Sequence, residues 1–279
     1  MDNNWIINNL KLSFSIWNDK MIEIWMLVST TPEDFKGGSI WNVVVNINGT
    51  LQAVGYGLLV VFFAMSIFKS ASNFRDFKRP EQGLAFLIRF VATKTAITYG
   101  MDIMTAIFKI CGGIVASIAA SLGGMASAVA LPSEIETAIN DLGFLASIPL
   151  WLVTLLGCLF ITVMSFLMIL TVYGRFFKLY MYTALAPIPL SCFAGNVTAQ
   201  MGKAFIKSYI GVCLEGAIIV LACILYSAFL SGGIMGLGNG ATDTVSMVWA
   251  YLTEVIFSML ILVGLVKGAD RIVKEMLAL

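Results

Sequence analysis

The sequence predicts an all-α integral membrane protein with about five transmembrane helices, one broken or re-entrant segment and an N-terminal amphipathic helix. Three observations carry this expectation. Hydrophobic residues make up 59% of the 279 and charged residues only 12%, against roughly 45–50% and about 25% in soluble domains. The mean hydropathy is +0.92. The apolar residues gather in runs long enough to cross a hydrocarbon core of about 30 Å at about 1.5 Å per residue. A soluble globule of this size has no interior large enough for so much apolar surface. The composition also excludes a disordered chain, a collagen, a coiled coil and a disulfide scaffold.

The first element is the amphipathic segment 5–28. Ile6, Leu10, Phe14, Trp17, Met21, Ile24 and Val28 recur at three- and four-residue spacing, and Asn8, Lys11, Ser15, Asp19, Lys20 and Glu23 fill the other side. This is a helix with one apolar stripe, expected in the membrane interface with Trp5, Trp17 and Trp25 as anchors. The alternative is a helix packed on the bundle. The opening MDNNW lacks the basic stretch of a cleaved signal. Thr31 to Asp34 and Gly37-Gly38 then end the helix. We divide the chain into an extracytoplasmic segment 1–40 and a polytopic domain 41–279.

Five spans follow, at roughly 43–68, within 84–128, and at 148–173, 208–230 and 245–266. The 45 residues of 84–128 contain no proline. They are expected to form one long helix that crosses once, with Arg89 and Lys94 at its end. Residues 176–202 contain Pro187 and Pro189 and are too short in uninterrupted apolar sequence for a crossing. They are expected to be broken, re-entrant or interfacial.

Charge sets the direction. No Lys or Arg occurs between Lys109 and Arg175, or between Lys207 and Lys267. Basic residues cluster at Lys69, Arg75, Lys78, Arg79; at Arg175, Lys178, Lys203, Lys207; and at Lys267, Arg271, Lys274. Placing these clusters in the cytoplasm puts 11 of the 17 basic residues inside, the N-terminus out and the C-terminus in, as the positive-inside rule requires. Trp41, Trp151 and Trp249 then fall at the outer ends of spans. Crossing 84–128 twice would put Arg175 and Lys178 outside.

Candidate functional residues are the charges inside spans, because an unpaired charge at the bilayer centre costs at least about 2.5–3.5 kcal/mol. Asp102 and Lys109 lie seven residues apart, on one helix face. Glu215 is the lone charge in the fourth span. These three are candidates for polar contacts or the lining of a conduit. The plainer alternative is structural pairing or proximity to the interface. Gly112, Ala116, Ala120 and Gly124 form a ridge of small residues at four-residue spacing, which suits close helix packing within the chain or between subunits.

Catalysis finds no support. There is no histidine, so Ser/His and Cys/His chemistry is absent, and the carboxyls within spans are solitary. The five cysteines show no metal-ligand spacing. The glycine-rich 232–240 lacks the following Lys-Ser/Thr of a phosphate loop. No enzyme activity, cofactor or metal is expected.

The stretch from Tyr173 to Val220 has an apolar span ending at Arg175, the break Ala186-Pro187, a polar turn from Gly195 to Gly202, and an aromatic-basic lead from Phe205 to Tyr209. It resembles the TrbL/VirB-type polytopic inner-membrane subunit of type IV secretion (conjugative transfer) systems. Where that family often has Trp in the lead, this chain has Tyr209. The resemblance implies a non-enzymatic channel or scaffold subunit in the bacterial cytoplasmic membrane. Such a subunit works as an oligomer beside other membrane subunits and a transfer ATPase. It helps move single-stranded DNA-protein or protein substrate. Arg175, Lys178, Pro187, Pro189, Lys203 and Lys207 would shape a cytoplasmic collar. Membrane lipid is a further expected partner of the basic face. Two rivals remain at this point: a small-solute secondary transporter, which should show paired broken helices, and a membrane assembly factor without a conduit.

Overall fold

The computed structural model describes residues 4–71, 80–121, 129–141, 144–231 and 244–279. In chain order the helices are α1 (Asn4–Ser29), α2 (Ser39–Ala71), α3 (Pro80–Thr98), α4 (Gly100–Ser121), α5 (Ser133–Asn140), α6 (Phe144–Leu185), α7 (Pro187–Ser191), α8 (Ala199–Ser231) and α9 (Thr244–Met276), with short 3-10 turns at Phe35–Gly38 and Cys192–Ala194. No strand occurs among the described residues. Parts of α2, α4, α6, α8 and α9 are long and apolar enough to cross a membrane, five candidate spans among the described residues.

The chain divides into two compact units. Unit 1 comprises Met1–Ser29, Val115–Tyr173 and Ala217–Ala269; unit 2 comprises Thr30–Ile114, Gly174–Gly216 and Asp270–Leu279.

In unit 1, the apolar stripe of α1 is buried along its whole length, from Ile6 to Val28. Trp5 packs on Trp151, Phe14 edge-on to Tyr251 and Trp17 on Tyr226. Asn18 makes a two-way amide pair with Val129: its Nδ2 donates to the Val129 carbonyl (2.9 Å) and its Oδ1 accepts from the Val129 N–H (3.0 Å). Lys11 pairs with Glu136 of α5 at 2.8 Å, and Tyr173 donates to Glu23. Glu23 also pairs with Lys20, and that hydrogen bond raises the lysine's pKa. The expectation of a helix bare to the interface is therefore corrected. The amphipathic pattern is right, but protein covers the stripe and Trp17 anchors a core. The outward face of α6 runs through Leu152, Leu156, Leu159, Val163, Phe166 and Leu170, all exposed. This is apolar surface suited to lipid or a neighbouring subunit.

In unit 2, the residues Lys36–Gly38 take left-handed backbone (Gly38 φ +75°) just before α2, where Gly37-Gly38 predicted a break. The core gathers Leu59, Met104, Phe108, Leu179, Leu190 and Tyr209. Residues 84–128 do not form one helix. Tyr99 interrupts it between α3 and α4, and only the second piece qualifies as a span. Two causes meet there. The Thr98 hydroxyl donates back to the Lys94 carbonyl, which bends helices, and Gly100 admits the Leu190 side chain, which would stand 3.1 Å from an added Cβ. The third span is also longer than expected. Residues 176–185 continue α6 without interruption, and the break is confined to the stretch after Leu185. At 42 residues, α6 is about 63 Å long, twice the hydrocarbon thickness of about 30 Å.

Candidate functional site

Unit 2 holds most of the described charges that sequence placed near or within spans. Arg175, on α6, is only 2% exposed. Its Nε donates to the Val212 carbonyl (3.3 Å) and its Nη2 to the Cys213 carbonyl (3.2 Å). The guanidinium carbon stands 5.8 Å from the Phe108 ring centre. These are second bonds on carbonyls of α8. They are possible because residue 216 is glycine: an added Cβ there would lie 2.6 Å from both terminal nitrogens. Arg175 makes no ion pair among the described residues, and its Nη1 has no hydrogen-bond partner there. Burial of a charge on these terms is costly unless hydrogen bonds and π-faces replace water.

One turn along α6, Lys178 bridges two carboxylates. Its Nζ lies 3.2 Å from Glu215 on α8 and 3.3 Å from Asp270 on α9. Asp270 also accepts from Lys274 at 2.8 Å. Glu215 is buried, while Lys178 and Asp270 are partly exposed. The network borders a hollow of about 210 Å³ that also meets Tyr182 and Ser208. The pairing of Glu215 with Lys178 joins two residues that sequence put in separate groups. Asp270, which sequence reading passed over, completes it. The signal was available: Asp270 sits among Lys267, Arg271 and Lys274 as the one acid in a basic run.

Asp102 and Lys109 share a face, as their spacing required, and line another hollow of about 480 Å³ with Glu33 and Trp41. Lys109 is 63% exposed and only loosely paired with Glu33, at 3.9 Å. Glu215 does not line this hollow. Lys203 and Lys207 are exposed on α8. Of the small-residue ridge, Ala116 and Ala120 are exposed, nothing approaches a Cβ built on Gly112, and Gly124 lies outside the described residues. Arg75, Lys78, Arg79 and the 232–240 loop also lie outside them.

Pro187 begins α7 and is buried; Pro189 is half-buried. A proline has no N–H for the carbonyl four residues back. Here that carbonyl belongs to Thr183, and the buried Asn48 of α2 donates to it at 2.7 Å. Gly55, two turns further along α2, permits contact with Pro187, whose carbonyl oxygen would lie 2.9 Å from an added Cβ. Asn48 went unnoticed in the sequence, although a polar amide inside VVVNINGTLQ of the first span is itself a signal.

Residues 17–187 match the model of the family described as TrbL/VirB6 plasmid conjugal transfer like protein. That is more than half the chain. The protein belongs to this family. The TrbL/VirB6-like match contains Asp102, Lys109, Arg175, Lys178 and Pro187 and stops short of Lys203, Lys207 and Glu215. It overlaps the Tyr173–Val220 stretch that carried the resemblance only as far as Pro187. Comparison with curated proteins and with solved structures gives no match. As a TrbL/VirB6-like protein with five candidate spans, the chain is a multi-pass membrane protein of conjugal transfer by type IV secretion, which operates with other components of the transfer machinery.

Proposed function

We propose that this TrbL/VirB6-like protein is a channel or scaffold subunit that helps move single-stranded DNA-protein or protein substrate across the cytoplasmic membrane. In this reading it has no catalytic step of its own. The observation that carries the reading is the family match over residues 17–187 in a chain with five candidate spans. It works as an oligomer, its N-terminus outside and C-terminus inside, beside a transfer ATPase that supplies energy. The charged groups Lys178, Glu215 and Asp270, which tie α6, α8 and α9 together, hold the cytoplasmic end of the bundle in one arrangement. Arg175, Pro187 and Pro189 shape that collar. Asp102 and Lys109 offer polar surface on another hollow.

The test is in the native donor cell. Deleting the coding sequence should abolish conjugal transfer, and the tagged protein should restore it. Formaldehyde crosslinking during mating should then recover transferred strand with the tagged protein. Restored transfer with no recovered strand would leave the protein in the machine and remove the channel role.

A further inference from the structure

Cys111 of α4 and Cys213 of α8 are far apart in the chain, and the fold of unit 2 makes them neighbours in one buried core cluster, 5% and 0% exposed. Their thiols hydrogen-bond one another, and both are free cysteines. Two further contacts hold α4 against α8 here. Tyr209 of α8 donates to the Met104 carbonyl of α4 at 3.0 Å. The Arg175 guanidinium lies over Phe108, one turn before Cys111, while its Nη2 donates to the carbonyl of Cys213 itself. Its charge acts on both sulfurs. A neighbouring cation stabilises the negative charge that a sulfur takes on as its proton leaves, the step that makes a thiol reactive.

Depth selects the oxidant. Cys111 lies in the candidate span Gly100–Ala120 and Cys213 in Ala199–Leu230, about 14 Å and about 21 Å from the nearer span end. Charged, water-borne thiol reagents such as glutathione are costly to bring to that depth; an uncharged, lipid-soluble quinone dissolves there. The approach is from the Gly112 side. Cys111 keeps its 5% exposure, and nothing lies within 4 Å of a Cβ built on Gly112 beside it.

We propose that Cys111 and Cys213 are a modification site, a thiol pair that closes into a disulfide between α4 and α8 with a membrane quinone as oxidant. Two S–H bonds break and one S–S bond forms. The two electrons and two protons pass to the quinone, which leaves as hydroquinone. A dithiol reductant reverses the bond by thiol–disulfide exchange. The two forms of the protein differ by a covalent link between two spans. The inference goes beyond the transfer role and does not depend on it.

Thiol counting on the purified full chain in detergent tests the pair. The protein is incubated with decylubiquinone, a quinone whose fully substituted ring does not add thiols, then denatured and alkylated with a maleimide. The alkylated thiols should fall from five to three, with the Cys111 and Cys213 peptides linked, and dithiothreitol should restore all five. Cys111→Ala and Cys213→Ala should each keep their four remaining thiols. Arg175→Met should slow the loss about tenfold, and Arg175→Lys should recover part of the rate. Each variant must first elute as the wild type does. Five thiols after both the quinone and diamide, a membrane-permeant diazene that oxidises thiol pairs, would overturn the site, as would loss of two thiols in either alanine variant. Loss with diamide alone would overturn the quinone as oxidant. An unchanged rate in Arg175→Met would take the guanidinium out of the step.

Discussion

Asn48 of α2 donates to the Thr183 carbonyl of α6 at 2.7 Å, in the place of the N–H that Pro187 lacks. The break after α6 and the polar residue inside the first span are thus two halves of one interaction. Asn48→Leu should destabilise the protein by about 1–3 kcal/mol, read as a lower unfolding temperature in detergent. Pro187→Ala restores a backbone donor to Thr183. In that background the Asn48→Leu loss should shrink, and an undiminished loss would refute the substitution of one donor for another.

Gly216 makes room for the Arg175 guanidinium. Gly216→Ala should push it off the Val212 and Cys213 carbonyls at a cost of about 1.5–3 kcal/mol. Gly57→Ala, where nothing lies within 4 Å of an added Cβ, should instead stabilise by about 0.5–1 kcal/mol. The Gly216→Ala penalty should vanish in an Arg175→Met background if the clash is with the guanidinium.

Glu215→Leu leaves Lys178 with Asp270 alone and removes the tie to α8. Conjugal transfer should fall while expression and membrane insertion stay normal. Glu215→Gln, which keeps the shape and one hydrogen bond, should fall less. Transfer at the wild-type level in both would take Glu215 out of the mechanism.

Orientation is open to thiol labelling of intact cells. Ser133→Cys should react with an impermeant maleimide from outside and Ser72→Cys should not, each compared with the wild-type background. Reaction at residue 72 would reverse the proposed topology.

The helical membrane class and the five spans were legible because hydropathy and charge spacing are properties of the chain itself. The stripe of α1 was legible as a pattern, but what covers it was not. Trp151, Tyr226 and Tyr251 are far away in sequence, and an apolar stripe looks the same under lipid or under protein. The interruption at Tyr99 escaped notice because no proline marks it; a threonine hydroxyl and a close approach at Gly100 make it. Arg175 read as the end of a span because a lone arginine in apolar sequence usually is one. Its burial rests on a glycine 41 residues later, at 216. Asp102 and Lys109 were correctly put on one face, since helix periodicity alone decides that.

The contacts of α1 also set an order of events in time. Phe14 meets Tyr251, 237 residues downstream, so at about 5–20 residues per second the first helix waits roughly 12–47 s for that partner to be made. Through that interval its apolar stripe has the bilayer surface to rest on, as amphipathic helices do. Chains truncated before Thr244 should therefore leave α1 more accessible to protease than the full chain does, and equal protection would show that docking does not wait for α9.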